Sequence, residues 1–150
     1  MERWETFAGA EPEMAEAGQK LIYQFGIGLG FLATVRRDGA PRLHPFCPVV
    51  FEGGLYGLIA PSLKHADLVR DGRYAFHAFP PEKRDDEFYL NGRVRRADEV
   101  AEAVRAAFLA TGGTSTGDET CFEFLIETAM LALYGDRPSW PPVYSTWRAH

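Results

Sequence analysis

Residues 31–46 read FLATVRRDGAPRLHPF, and this stretch decides the fold. A short run of β-forming residues at 31–35 is followed by Asp-Gly at 38–39, a pair typical of tight β-hairpins, and then by a second apolar run. We therefore predict a first strand that turns back into a second strand over residues 41–51. A Glu-Gly-Gly turn ends the second strand, and residues 55–60 form a third. These three strands are predicted to make an antiparallel meander.

The rest of the chain alternates between helical and strand periodicity. In order, we predict an N-terminal helix within residues 1–27, a short helix at 63–71, strands at 73–79 and 87–96, a helix capped by Asp98, and a long last strand at 121–134. This order cannot form βαβ units throughout. The predicted fold class is therefore α+β, a mainly antiparallel β-barrel with flanking helices.

Two of the predicted helices have an apolar face that is expected to be buried. In the N-terminal helix, which begins near Pro12, Met14 and Phe25 are the ends of an apolar face with three- and four-residue spacing. In the short helix, Ser62 is a suitable N-cap, and Leu68 and Val69 are expected to point inward.

Two segments lack a regular pattern. Residues 112–119 are rich in Gly, Ser and Thr and are predicted to form a mobile loop. The tail, residues 135–150, combines several prolines with Trp140, Tyr144 and Trp147. It is too rich in proline for a helix and too aromatic to remain in water, so we expect it to pack against the protein or a partner.

Composition limits the classes of function. The 150 residues fit a single domain, and a net charge of -5 argues against a nucleic-acid partner. The longest uncharged stretch is too short to cross a membrane, and the acidic N-terminus does not resemble a secretory signal, so a cytoplasmic location is expected. Cys47 and Cys121 match no redox or zinc motif and are interpreted as two reduced thiols.

Chemistry-bearing residues cluster at the start of the short helix. Ser62 and Lys64 place a hydroxyl and an ammonium where free backbone N–H groups favour an anion. Arg42, on the second strand, can approach them if that strand pairs with the third. The alternatives are an ordinary Ser cap with a solvated Lys, and an arginine that faces solvent.

A succession of short motifs resembles a known family. The motifs are FLATV, DGAPR, GLY, SLK and LVRDGR, in this order over residues 31 to about 97. Their succession is similar to that of the pyridoxamine 5'-phosphate oxidase-like family of FMN-binding split barrels. The resemblance implies that the barrel is a split barrel, that FMN is the cofactor, and that the protein acts as a homodimer with the cofactor at the interface.

The resemblance also implies a set of cofactor-binding residues. Arg42, Ser62 and Lys64 would hold the flavin phosphate. Backbone groups near His44, Pro45, Leu58 and Ile59 would lie along the ring and the ribityl chain. Residues from the fifth strand and the tail of the partner would complete the pocket.

Two positions depart from the oxidases that make pyridoxal phosphate. Glu87 stands where those enzymes carry a glutamine, and an acid there suits another substrate or a deazaflavin as the alternative cofactor. Trp147, which is expected to stack on the neighbouring flavin or to pack at the interface, begins an ending that matches their substrate-phosphate motif only in part. We do not expect oxidation of pyridoxamine phosphate itself.

The predicted function is a flavin-dependent oxidoreductase that acts on a small organic molecule, with no catalytic residue assigned because the flavin carries the redox chemistry. The alternatives are a non-catalytic flavin- or haem-binding storage module, a deazaflavin-dependent reductase, and a dimer with an empty pocket. His44 and His77 are each expected either to face the flavin or to have a structural role. The histidines form no compact metal-binding motif, and no metal site is predicted.

Overall fold

The computed structural model describes residues 1–135 and 140–150. Within these ranges the chain forms four α-helices, eight strands and one short 3₁₀ turn at Asp98–Val100. The elements are α1 (Trp4–Ala10), α2 (Pro12–Ile22), β1 (Gly30–Val35), β2 (Pro41–Phe46), β3 (Val49–Phe51), β4 (Gly54–Ile59), α3 (Leu63–Arg70), β5 (Arg73–Ala78), β6 (Glu87–Arg96), α4 (Ala101–Ala110), β7 (Thr120–Leu133) and β8 (Val143–Arg148).

The strands form one antiparallel sheet in the order β2-β1-β5-β6-β7-β4-β3, and β8 pairs with β7 beside β4. β2 and β3 stand at opposite ends of this order, yet only Cys47 and Pro48 separate them in the chain. The sheet must therefore curl until its two edges approach each other. This curled sheet with flanking helices confirms the prediction of an α+β, mainly antiparallel split β-barrel.

The predicted meander is wrong in one respect. The second strand, predicted over residues 41–51, is divided at Cys47 and Pro48 into β2, which pairs with β1, and β3, which pairs with β4. Pro48 has no N–H to donate to a sheet, so the ladder is interrupted there. As a result β2 is not a neighbour of β4. The turn at Gly39, whose φ is 84°, joins β1 to β2 as predicted.

The N-terminal region contains two helices where one was predicted. They are separated at Glu11, because the residue before a proline is driven away from helical geometry. α2 begins at Pro12 as predicted but ends at Ile22, and Phe25 is 56% exposed. Gly18 lies on its buried face, where a Cβ would stand 2.4 Å from the ring of Phe88. Close contact between α2 and β6 therefore fixes the face of this helix.

The C-terminal tail contains a strand that sequence patterning missed. β8 pairs with β7 over Thr128 to Leu133, and its Trp147 lies in the core, with its ring centroid 5.3 Å from that of Phe7. Residues 136–139 of the predicted tail are outside the described residues. The tail therefore packs on the protein's own sheet, which is one of the two outcomes that the sequence analysis expected.

Three smaller predictions on the helices have different outcomes. Leu68 is buried as predicted, whereas Val69 is 60% exposed, because it faces away from the sheet. Asp98 does not cap α4; its carboxylate instead pairs with Arg96 at 3.0 Å. In the described ranges, no helix combines the length and apolar character needed to cross a membrane.

Candidate functional site

The start of α3 has the N-cap that the sequence predicted. The Oγ of Ser62 accepts a hydrogen bond from the backbone N–H of His65 at 3.2 Å. The Ser62 hydroxyl is exposed and serves as an ordinary cap, which is the structural alternative raised above. His65 is half-buried and its Nε2 lies 2.9 Å from the Thr120 hydroxyl. This contact ties α3 to β7, so the helix start is held firmly in place.

Lys64 lies in a cleft of about 350 Å³ between β2, β4, α3 and the segment that follows α4, here called the Lys64 cleft. Pro45 and Leu58, two of the predicted cofactor-binding residues, line the same cleft together with Cys47. Burial lowers the pKa of Lys64, and the neighbouring Cys47 thiol partly opposes this shift. The ammonium group is therefore partly desolvated, and an anion in the cleft would restore the interactions it has lost.

Glu119 is the acidic group of the Lys64 cleft. Burial alone would raise its pKa, but hydrogen bonds from the Thr116 N–H and the Ser115 hydroxyl outweigh it and bring the pKa to about 2. Arg105 lies 3.7 Å away and compensates part of the negative charge. The loop predicted at 112–119 thus has internal hydrogen bonds, and its mobility stays a prediction.

Arg42 reaches α3 by a different route from the one predicted. Its strand partner is Thr34 on β1, not a residue of β4. The Nε of Arg42 donates to Asp67 Oδ2 at 2.8 Å, and the Thr34 hydroxyl donates to the same oxygen at 2.9 Å. Arg70 donates to the other carboxylate oxygen at 3.2 Å. Arg42 is therefore anchored to the side of α3, one turn beyond Ser62 and Lys64.

Arg42 lines a second cleft, of about 450 Å³, on the other side of the first turn of α3. We call it the arginine cleft; its lining residues are Arg36, Arg37, Asp38, Arg42, Leu63, Ala66, Asp67 and Arg70. Leu63 faces this cleft, while Lys64 faces the other. The structure therefore does not bring Arg42, Ser62 and Lys64 together around one point, as the sequence analysis expected.

The charges of Lys64 and Arg42, one from each cleft, both act on the imidazole of His44. Its pKa is lowered, first by burial and then by the positive charges of Lys64 and Arg42. Its buried Nε2 has no hydrogen-bond partner among the described residues. The lowered pKa favours the neutral form of the imidazole, and its Nε2 is a buried polar atom that the described residues leave unsatisfied.

The remaining predicted residues lie elsewhere. The side chain of Ile59 is 1% exposed and belongs to the core, so only its backbone is left for the predicted role. Glu87 lines neither cleft; its Oε1 lies 3.4 Å from His77 Nε2. Trp147 is 9% exposed and packs inside its own protomer, so most of its ring is already covered without the flavin or the interface that the sequence analysis considered for it. Trp140 and Tyr144 are exposed and remain available for such a contact.

Sequence reasoning missed Asp67, although a signal was present. Asp67 and Arg70 have the i,i+3 spacing of an ion pair on a helix. What the sequence did not show is that Asp67 faces inward, because Thr34 and Arg42 become its partners only when β1 and β2 pack against α3. Asp67 is 3% exposed and is the group that holds the arginine cleft together.

No protein-family model and no curated protein matches this sequence. Solved structures match at low identity. A haem-binding protein from Mycobacterium smegmatis has a TM-score of 0.62 and 18% identity over 88% of this chain, and the match covers 57% of that protein. A NimC/NimA family protein from Clostridium acetobutylicum has a TM-score of 0.61 and 20% identity, over 90% of this chain and 94% of that one.

A pyridoxamine 5'-phosphate oxidase-related, FMN-binding protein from Nostoc punctiforme covers 95% of both chains, with a TM-score of 0.59 and 13% identity. At these identities the likeness shows the fold alone. It confirms the split-barrel fold that the motif succession suggested. The haem-binding neighbour is considerably longer than this chain, since only 57% of its length is matched.

Proposed function

From the split-barrel fold, which this chain shares with the FMN-binding protein of Nostoc punctiforme, we propose that it binds a flavin that carries a phosphate, FMN in the first place, and catalyses a redox reaction on a small organic molecule. The observation that carries the proposal is the partly desolvated ammonium of Lys64, which lies in a cleft whose walls include Pro45 and Leu58. The volume of the cleft falls in the usual range for small-molecule sites.

The residues present fit a flavin phosphate. Lys64 supplies a full positive charge at one end of the cleft. Its charge also acts on His44 and helps to lower the pKa of that imidazole. Pro45 and Leu58 supply apolar walls against which a planar ring can lie. A bound flavin supplies hydride or electron transfer, so the chain itself needs no acid–base pair.

The chain's own residues bind and orient the flavin. Lys64 neutralises part of the phosphate charge, and the pKa of Lys64 is expected to return toward its usual value when an anion binds. Glu119 is already engaged by Ser115 and Thr116, so its negative charge is compensated before a ligand arrives. A deazaflavin offers the same phosphate chemistry and is the alternative cofactor.

We also propose a homodimer in which the partner completes the pocket. In a single protomer, the ring end of the site has no aromatic wall from the tail, because Trp147 is buried. Large apolar side chains are exposed on β1, β2 and the tail: Phe31 (36%), Leu43 (64%), Val143 (70%) and Trp140 (79%). A second copy would cover part of this surface, and Glu87 of the partner then becomes a candidate for the pocket. Sedimentation of the purified protein tests this proposal.

The test of flavin binding is a visible spectrum of the purified protein, followed by titration with FMN and with a deazaflavin. We expect a bound chromophore and turnover with NAD(P)H or reduced deazaflavin as electron donor. Lys64→Ala is expected to weaken FMN binding about tenfold or more, because it removes a charge-assisted contact. Lys83→Ala is the matched control, since Lys83 is an exposed lysine in the loop before β6. No flavin binding by the wild type overturns the proposal.

A second candidate is a haem-binding module. The observation in its favour is the half-buried His44, whose Nε2 has no hydrogen-bond partner among the described residues and is of the type that ligates metals. Titration with haemin that gives a Soret band in the wild type but a weaker one in His44→Ala would support it. A flavin spectrum without a Soret band would support flavin binding over haem binding.

A further inference from the structure

The arginine cleft contains hydrogen-bond donors that the fold does not use. Arg37 makes no hydrogen bond or ion pair with any described residue, and the two terminal nitrogens of Arg42 have no acceptor there either. Buried or half-buried guanidinium groups are normally satisfied by an acceptor. Arg42, whose side chain is 23% exposed, therefore has donor capacity aimed at the cleft rather than at the protein.

Hydrogen bonds within the fold hold two arginines of the cleft in place. The buried carboxylate of Asp67 holds Arg42 by Nε and Arg70 by Nη1, and Arg70 is held further by the carbonyl oxygen of Val35. With its Nε bound, the guanidinium plane of Arg42 has little rotational freedom. The planar fork is thus positioned before a ligand arrives, which lowers the entropic cost of binding.

The charges of the cleft favour an anion. Four arginines face two aspartates, an excess of two positive charges in a chain whose net charge is -5. Asp38 pairs with Arg36 at 3.0 Å, and Asp67 is shared by Arg42 and Arg70. Both acids are therefore engaged. Arg37 is left as an uncompensated charge at the rim.

We propose that the arginine cleft is a second binding site, separate from the Lys64 cleft, that takes a small molecule bearing phosphate or carboxylate groups through Arg37 and the terminal nitrogens of Arg42. Guanidinium groups bind these two groups by paired hydrogen bonds. The cleft volume suits a small molecule, and the net charge of the chain argues against a nucleic-acid backbone as the occupant. The anion is a molecule separate from the flavin, because the proposed function places the flavin phosphate in the Lys64 cleft.

Calorimetric titration of the flavin-free, full-length protein with inorganic pyrophosphate at low salt tests the site. We expect saturable binding that Arg37→Gln weakens about tenfold. Arg148→Gln is the matched control, since it removes the same charge from an exposed position on β8. Arg37 has no partner among the described residues, so its replacement should leave folding unchanged, and circular dichroism checks this.

Three results overturn the proposal. They are no saturable binding by the wild type, equal losses in Arg37→Gln and Arg148→Gln, and a loss in Lys64→Ala as large as that in Arg37→Gln, which would place pyrophosphate in the Lys64 cleft. A repeat with saturating FMN gives a fourth test: displacement of pyrophosphate would place both anions in one site and overturn the proposal. Simultaneous binding of FMN and pyrophosphate supports a separate site. Pyrophosphate binding needs no flavin, so failure of the proposed flavin function leaves this result standing.

Discussion

Asp67 and Glu123 are two buried carboxylates that are each held by two arginines, and their surroundings differ. Asp67 is 3% exposed and bound by Arg42 and Arg70; Glu123 is 1% exposed and bound by Arg3 and Arg95 at 2.7 Å each. Asp67 lies under the arginine cleft. Glu123 lies on β7, where the N-terminal segment crosses the sheet.

The difference lies in what the arginines do with their remaining nitrogens. Arg3 uses its other nitrogens on Glu5, the hydroxyl of Tyr56 and the carbonyl oxygen of Glu52, so its donors are consumed by the fold. Arg42 uses only Nε. A buried ion pair is therefore structural where its donors are exhausted, and suited to binding where donors remain and face a cleft.

The largest effect is expected at Glu123. Glu123→Ala leaves Arg3 and Arg95 without their buried partner, and we expect the free energy of unfolding to fall by about 3 kcal/mol. Anion binding should stay within twofold of the wild type. Urea unfolding and pyrophosphate titration measure the two quantities. A loss of binding as large as that in Asp67→Ala would abolish the distinction between the two carboxylates.

Asp67→Ala should be somewhat less destabilising, by about 2 kcal/mol, because a buried aspartate has one methylene fewer than a buried glutamate, and a buried methylene contributes about 0.8 kcal/mol. The buried hydroxyl of Thr34 loses its acceptor as well. Unlike Glu123→Ala, this change should also weaken pyrophosphate binding, since Arg42 is no longer oriented. If binding tightens because a negative charge has gone, charge rather than orientation governs the cleft.

Arg42→Lys and Arg95→Lys form a matched pair that keeps the charge and removes the planar fork. We expect Arg42→Lys to weaken pyrophosphate binding about tenfold, equivalent to about 1.4 kcal/mol, with a smaller effect on stability. Arg95→Lys should affect stability alone. Equal binding by the two variants would show that the fork of Arg42 has no part in recognition.

The smallest expected effect is a change in acid stability. Burial alone would raise the pKa of Asp67, but hydrogen bonds from Arg42, Thr34 and Arg70 outweigh burial and lower it. The unfolded chain therefore binds more protons, and the stabilisation by Asp67 is complete above its unfolded pKa of about 3.9 and is lost as the pH falls through the lower folded value.

Asp67→Asn should therefore lose stability less steeply than the wild type below about pH 4. Urea unfolding at a series of pH values measures both slopes. Glu119, with a pKa of about 2, contributes the same acid dependence to both proteins. Parallel curves for the two proteins would show that Asp67 does not favour its ionised form in the fold.

Much of the fold could be predicted from local signals. The Asp-Gly turn, the bounds of β6 and the Ser62 cap follow from turn chemistry, strand periodicity and capping, which act between residues near one another in sequence. β8 was not predicted, because the prolines of the tail conceal the strand periodicity and its partner, β7, ends ten residues earlier in the chain. Patterning cannot show which edge is free to accept a late strand.

The sequence by itself determined the fold class, the position of the short helix and the cation at its start, because each depends on local propensity and on the order of the motifs. Only the tertiary structure decided that Arg42 and Lys64 line different clefts, that Asp67 binds Arg42, and that Trp147 is core. The physical reason is the curl of the sheet. It divides the predicted second strand between two edges and sets β2 beside β1 and α3, a juxtaposition of distant residues that no local pattern encodes.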